Sequence, residues 1–185
     1  RDKRDKKISH TYKFETKEEL NIAVDLWIKE HPLPKRGSSA ADCESTVTPN
    51  SSAGPKLTTA AVETYGHINY WDVSKITDFS ELFGGSNCNA FNSDISNWDV
   101  SNGTDFSNMF KNAYYFNQNI GDWDVSNGTD FSSMFHNAYQ FRQDIGDWDV
   151  SNGTDFSSMF HNAYYFDQDI GDWDVSNGTD FSSMF

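Results

Sequence analysis

Tryptophan returns every 25 residues, at Trp98, Trp123, Trp148 and Trp173. A chain that repeats itself at such a period is confined to architectures that stack one small unit upon the next. The unit from Trp148 reads WDVSNGTDFSSMFHNAYYFDQDIGD. The unit from Trp123 departs from it at two positions, with Gln140 for Tyr165 and Arg142 for Asp167. The unit from Trp98 departs at four: Asn108, Lys111, Asn117 and Asn119. A diverged unit begins at Trp71 and takes 27 residues to reach Trp98, its extra residues falling in Gly84-Gly85-Ser86-Asn87-Cys88. The last unit runs to Phe185, about half-way through the repeat.

Within each unit two hydrophobic patterns follow one another. Ile145, Trp148 and Val150 give I-x-x-W-x-V, close to the L-x-x-L-x-L strand of leucine-rich repeats. Trp148 and Val150 share one face of such a strand, while Asp147, Asp149 and Ser151 point the other way. Asn152-Gly153 is a turn signal, because both residues tolerate positive φ. Thr154 or Asp155 can cap a short helix whose stripe is Phe156, Met159, Phe160 and Ala163, at i, i+3, i+4 and i+7. Phe166 and Ile170 lie on the return path, with Gly171 at the corner. One unit buries too little to hold itself together, so stability belongs to the array. The expected stacking core is Trp71, Trp98, Trp123, Trp148 and Trp173 with Phe110, Phe135 and Phe160.

The motif WDVSxxTDFSxMFxxAxxFxQDI resembles the repeat of BspA-like surface proteins, relatives of leucine-rich-repeat proteins found in bacterial surface lipoproteins and in algal proteins. The resemblance covers residues 66–185. In many members the sixth position of the repeat is Val and the ninth Met, where this chain has Gly103 and Phe106. The resemblance implies a right-handed α/β solenoid and a role in adhesion or surface structure, and it supplies no catalytic residues. The expected fold class is therefore α/β: a right-handed leucine-rich-repeat-like solenoid with short parallel strands, short helices and an N-terminal helical cap.

Four segments follow. Residues 1–11 form a basic arm. Residues 12–30 read as an amphipathic helix with a Thr16-Lys17-Glu18-Glu19 capping box and an apolar face of Leu20, Val24, Trp27 and Ile28. Placed before the first repeat, it resembles the N-terminal region of family members and would close the core at that end. Residues 31–65 are a Pro/Ser/Gly/Thr-rich loop, and 66–185 the solenoid, its last repeat incomplete. Cys43 lies in the loop and Cys88 in the insertion of the first unit, which suggests a Cys43–Cys88 disulfide fastening one to the other. The C-terminal end carries no cap, which expects a truncated chain, further repeats, or association with another molecule.

Charge is distributed unevenly: +3 over residues 1–36 and −17 over 37–185, for a net −14. So acidic a body repels phosphate backbones and excludes nucleic acid as a partner. No apolar run approaches the ~18 residues of a membrane span.

Stacking converts each repeat position into a column with a spacing of about 5 Å. Asp99, Asp124, Asp149 and Asp174 form one acidic column, continued from Asp72, with Asp122, Asp147 and Asp172 beside it. Carboxylates ~5 Å apart repel by roughly 0.8 kcal/mol in water and about 3 kcal/mol at an effective dielectric of 20. Ca²⁺ is the cation suited to such rows, with solvation by water and Ser donors as the competing arrangement. Asn102, Asn127, Asn152 and Asn177 each begin an Asn-Gly-Thr sequon, and Asn50-Ser51-Ser52 is a fifth, making these asparagines glycosylation candidates. Tyr114, Tyr115, Tyr139, Tyr164 and Tyr165 form an aromatic row suited to sugars or to another subunit. His136 and His161 share one position and can chelate a metal as a pair, although Lys111 holds that position in the preceding unit. The Thr104, Thr129, Thr154 and Thr179 column is open to an ice-lattice reading but is better suited to capping.

Catalysis needs unlike groups in one pocket, whereas identical units supply columns of one group. The expected function is a structural or adhesive scaffold of a cell surface, extracellular filament or appendage, and not an enzyme. The alternative is a module that binds proteins or glycans through its acidic face or Tyr row. The expected partners are copies of itself, other surface proteins or glycans, with no cofactor beyond Ca²⁺.

Overall fold

A computed structural model describes residues 11–31, 59–84 and 91–185. Helix α1 spans Lys17–Glu30, starting at the Thr16 capping box rather than at residue 12, because Lys13 bridges to Asp72 in extended backbone; the Thr16 Oγ1 accepts from the Glu19 N–H at 3.2 Å. The return half of the box is displaced by one residue: the Glu19 carboxylate accepts from the Glu15 N–H at 3.1 Å. Leu20, Ala23, Val24 and Trp27 form its buried face. A second helix, α2 (Ala60–Tyr65), lies within the stretch expected to be loop. Thr59 caps its start and Gly66, at φ 75°, its end. The Glu30 carboxylate accepts from the Ala61 N–H at 3.0 Å, joining the end of α1 to the start of α2. A single 3-10 turn, Ile68–Tyr70, leads into Trp71.

Beyond Trp71 the repeats depart from the expected α/β architecture. Among the described residues no repeat contains a helix, and no named strand or sheet forms. Successive rungs are joined instead by isolated parallel bridges, Asp78↔Asp105↔Asp130↔Asp155↔Asp180. A leucine-rich-repeat-like solenoid of strands and helices is therefore not the structure of this chain.

The backbone bonding gives the reason. In the segment expected to be helical, alternate N–H groups point to the next rung rather than back along the chain. Phe131, Ser133, Phe135 and Asn137 donate to the carbonyls of Asp155, Ser157, Met159 and His161, at 2.8–2.9 Å. The intervening N–H groups of Met134, His136 and Ala138 close tight turns onto Phe131, Ser133 and Phe135. Left-handed residues at Ser133 (φ 54°) and Asn137 (φ 59°) make this alternation possible. A helix would use the same N–H groups internally, and each rung would then lose its bonds to the next. The strand reading fails for a related reason. Trp123 N–H closes a turn onto Ile120 and Gly128 N–H one onto Val125, leaving too short an extended piece between them.

The apolar pattern is nonetheless buried throughout. Phe106, Met109, Phe110 and Ala113 have no exposed surface. Aromatic columns run through the stack: Phe79–Phe106–Phe131–Phe156 at 5.5–5.6 Å between centroids, and Phe83–Phe110–Phe135–Phe160 at 5.5–5.6 Å. A third column, Phe91–Phe116–Phe141–Phe166, repeats at 5.9 Å. Trp71, Trp98, Trp123, Trp148 and Trp173 are all buried. Trp71 stacks on Trp98, whereas later indoles lean on a phenylalanine of the preceding rung, as Trp123 does on Phe110 at 6.3 Å. Each indole also reaches back by hydrogen bond. Trp123, Trp148 and Trp173 donate Nε1–H to the carbonyls of Ile95, Ile120 and Ile145 at 3.3, 3.0 and 3.1 Å.

The N-terminal elements close the first rung. Asp72 N–H donates to Tyr12 O and Phe14 N–H to Asp72 O, so Lys13 pairs with Asp72 as rungs pair with one another. Phe14, Tyr65 and Trp27 pack around Trp71. Lys17 reaches Asp78 at 2.6 Å, and Lys75 reaches Glu15.

Candidate functional site

The outward columns are the candidate functional surface, and most of them are occupied by the stack's own bonding. Asp99, Asp124, Asp149 and Asp174 are exposed, and each accepts through Oδ1 from the N–H of the serine two residues on, at 3.0–3.1 Å. The hydroxyls of Ser101 and Ser126 add bonds of 2.6 Å. The Ser151 hydroxyl and N–H hold the Asp149 carboxyl below its ordinary value, and the Ser176 N–H and hydroxyl do the same for Asp174. Repulsion from Asp149 opposes this at Asp174 and is the smallest influence there. Asp149 and Asp174 are thus stabilised as carboxylates by their own turns. Asp122, Asp147 and Asp172 project into solvent beside it. Among the described residues no three of His, Cys, Asp and Glu come together to hold a metal ion, so Ca²⁺ has no enclosed site on these columns.

A further acidic column, Asp105, Asp130, Asp155 and Asp180, occupies the position expected to cap a short helix and caps none. These residues make the inter-rung bridges and accept from Ser107, Ser132, Ser157 and Ser182 N–H at 2.8–2.9 Å. The signal was present as Asp-x-Ser, a side-chain turn at fixed spacing.

The sequon asparagines have structural work. Asn102, Asn127, Asn152 and Asn177 each donate Nδ2–H to the carbonyl of Ser74, Ser101, Ser126 or Ser151 on the preceding rung, all at 2.7 Å. The atom that would carry a glycan is the atom that ties rung to rung. Threonine forms the adjacent ladder: Thr129, Thr154 and Thr179 donate their hydroxyls to the carbonyl of the threonine one rung earlier, at 3.0–3.1 Å. Asn50, Cys43 and Cys88 lie outside the described residues.

Glycine in Asn-Gly-Thr serves close approach rather than the positive φ its turn motif suggests. A Cβ on Gly103, Gly128 or Gly153 would stand 2.3–2.5 Å from Cζ of Phe106, Phe131 or Phe156, and none of the three has a left-handed φ.

Tyr114 and Tyr139 stack at 4.8 Å, and Tyr139 meets Tyr164 at 5.1 Å. Their stacked faces are turned to one another. Tyr164 and Tyr165 are the open ones, 73% and 56% exposed. Asn112, Asn137 and Asn162 form an amide ladder, Nδ2 to Oδ1 at 2.8 and 2.9 Å, that the sequence reading missed. Next to it stand His136 and His161, centroids 5.0 Å apart. Burial, then the charges of His161 and Lys111, hold the His136 ring below its ordinary pKa. At the junction with the cap, a shallow cleft of about 270 Å³ is lined by Thr11, Asn69, Tyr70, Asp72, Asn97 and Asp99.

A family model described as "Mycoplasma protein of unknown function, DUF285" matches residues 56–163 and 121–185, together more than half of the chain. Comparison with curated proteins and with solved structures returns no match. No helix among the described residues is long and apolar enough to cross a membrane.

Proposed function

The chain belongs to the DUF285 family, which is associated with BspA-like repeat proteins, and we propose that it is a rigid repeat scaffold, structural or adhesive, of a cell surface or an extracellular filament or appendage. The closer kinship, with BspA-like surface proteins assembled from units of this length, is part of the same reading. One observation carries it: the asparagine, threonine and tryptophan columns and most of the aspartate columns are spent on joining rungs or closing turns. Asparagine, threonine, tryptophan and bridge aspartate each perform one mechanical task per rung. Recognition and catalysis both call for unlike groups left free to meet a ligand, so the reading is non-catalytic. The dense aromatic columns and inter-rung bonds supply stiffness along one axis, as a spacer or stalk requires.

A second reading rests on the tyrosine row, Tyr114, Tyr139 and Tyr164, whose stacked rings give a protein or glycan an aromatic edge to meet. Negative-stain imaging of the purified chain separates the two. Filaments or regular rods support the scaffold, while dispersed monomers that retain a protein or glycan through purification support the binding module. Labelling intact source cells with a membrane-impermeant reagent tests the location, and a chain reached only after lysis refutes surface display.

A further inference from the structure

We propose that the cleft where the N-terminal cap meets the first two rungs is a binding subsite for one neutral sugar ring of a glycan. Its lining comes from successive levels of the stack: Thr11 from the cap, Asn69, Tyr70 and Asp72 from the first rung, Asn97 and Asp99 from the second. These levels are locked together before any ligand arrives. The Asp72 N–H donates to Tyr12 O at 2.8 Å, which sets Thr11 beside the first rung. Asn69, only 9% exposed, donates Nδ2–H to Asp94 Oδ2 at 2.9 Å and accepts from the Asn97 N–H at 3.2 Å, tying the first rung to the second.

The repeat is broken at this place. The residue before the tryptophan is Asp122, Asp147 and Asp172 on the later rungs, but Tyr70 and Asn97 here. The residue after it is aspartate throughout, from Asp72 and Asp99 onward. Later rungs therefore present paired carboxylates, whereas the cleft presents carboxylates beside an aromatic ring and an amide. Packing does not demand the change, because Tyr70 is 64% exposed and Asn97 is exposed as well. Among the described residues the Asn97 carboxamide makes no hydrogen bond, its backbone N–H alone being engaged.

These groups identify the ligand class. The open Tyr70 ring offers an apolar face and a polar tip, as the C–H face and hydroxyls of a pyranose require. The Asn97 carboxamide can donate to one sugar hydroxyl and accept from the next. Asp99 receives Ser101 through Oδ1 and keeps Oδ2 for a hydroxyl. A cation would be better served on the third rung, by Asp122 and Asp124, since in the cleft Asp72 is already offset by Lys13 at 3.4 Å. An anion meets Asp99 and the acidic body and is repelled. Enclosed small-molecule sites run to about 300–1,000 Å³ and bury most of their ligand. A shallow cleft of about 270 Å³ takes one ring and leaves the rest of the glycan in solvent, so its affinity is about millimolar. The site lies at the capped end and does not use the tyrosine row.

Saturation-transfer NMR on the full chain tests this with the methyl pyranosides of glucose, galactose and mannose, with methylammonium and methyl glucuronide as the charged probes. The expected result is saturation of the ring protons of at least one neutral pyranoside, with shifts at the backbone amides of Tyr70, Asn97 and Asp99. Both charged probes should bind more weakly. Tyr70→Ala should weaken binding by about tenfold, the loss of one aromatic contact, and Tyr70→Phe should retain most of it. Asn97→Asp installs the side chain that the column carries at Asp122, so the stack tolerates it, and it should weaken binding to a similar degree. Silence from every neutral pyranoside, tighter binding of methylammonium, or an affinity unchanged in Tyr70→Ala or in Asn97→Asp would overturn the site. Shifts confined to Tyr114 and Tyr139 would overturn it too, while leaving the tyrosine-row reading standing.

Discussion

Gly128→Ala is the sharpest probe of how the rungs are packed. The added Cβ would lie 2.4 Å from Cζ of Phe131, 3.0 Å from Cε2 and 3.0 Å from Val125 O. Carbon atoms sit comfortably at about 3.5–4.0 Å, so the closest contact is short by about 1 Å. Phe131 cannot slide along its column, because Phe106 and Phe156 hold it at 5.6 and 5.5 Å on either side. Overpacking of this kind costs about 1–3 kcal/mol, and a trapped ring places it at the upper end. Against that, an alanine at a permitted φ stabilises by about 0.4–1 kcal/mol through the unfolded chain. The net expectation is a loss of about 2 kcal/mol. For a chain of this size that lowers the thermal midpoint by roughly 4–8 °C. Gly171→Ala is the internal control, since its Cβ would meet only Asp169 Oδ1 at 3.1 Å, the end of a flexible side chain. That change should stay within about 0.5 kcal/mol. Phe131→Leu in the Gly128→Ala background should recover part of the loss, giving a double-mutant coupling of at least about 0.5 kcal/mol. Urea unfolding of the five proteins (the parent, Gly128→Ala, Gly171→Ala, Phe131→Leu and the double variant) decides the matter. A Gly128→Ala chain as stable as the parent, or strictly additive with Phe131→Leu, would refute the close-approach argument.

Three further outcomes follow from the same bonding. Trp148→Phe keeps an aromatic ring but loses the Nε1–H bond to Ile120 O, and should cost about 0.5–1.5 kcal/mol for the bond plus the area of the missing ring, read by chemical denaturation. Asn152→Asp replaces the Nδ2 donor that meets Ser126 O at 2.7 Å with a carboxylate oxygen, so it should destabilise more than Asn152→Ala in the same assay. At the cap, Ser74 hydrogen bonds, reinforced by Lys13, hold the Asp72 carboxyl below its ordinary value despite burial. Burial raises Asp78, but Lys17 and Ser80 outweigh it and leave that carboxyl lowered too. The unfolded chain then binds these protons first, so their stabilisation is complete above about pH 4 and is lost as pH falls through the lowered folded values. Asp78→Asn should flatten that acid limb in a pH series of unfolding midpoints, and an unchanged limb would exclude the Lys17 pairing.

Much of the interior was legible in the residue order. The period predicts the columns, and the residues chosen for the core, from Trp98 and Phe110 to Trp148 and Phe160, are buried. Helix α1 and its Thr16 cap were readable because capping is local chemistry between residues a few positions apart. Helix α2 was missed, since Pro, Ser and Gly in its surroundings hid the Thr59 cap and Gly66 stop. The columns of asparagine and threonine were visible as sequons and caps, but their partners, the serine and threonine carbonyls of the rung before, were not.

The same apolar spacing, Phe156, Met159, Phe160 and Ala163, fits a helix and fits a run of tight turns equally well. Periodicity reports which side chains face inward and says nothing of where each N–H goes. That choice was made between rungs: Phe156, Ser158 and Phe160 donate to Asp180, Ser182 and Met184, and only a neighbour in register offers those carbonyls. The sequence by itself determined the period, the inward residues and the capped N-terminus, because these depend on composition and local contacts. The tertiary structure alone decided the backbone of the repeat, because a hydrogen bond across one full period competes with the helix only once the next rung is in place.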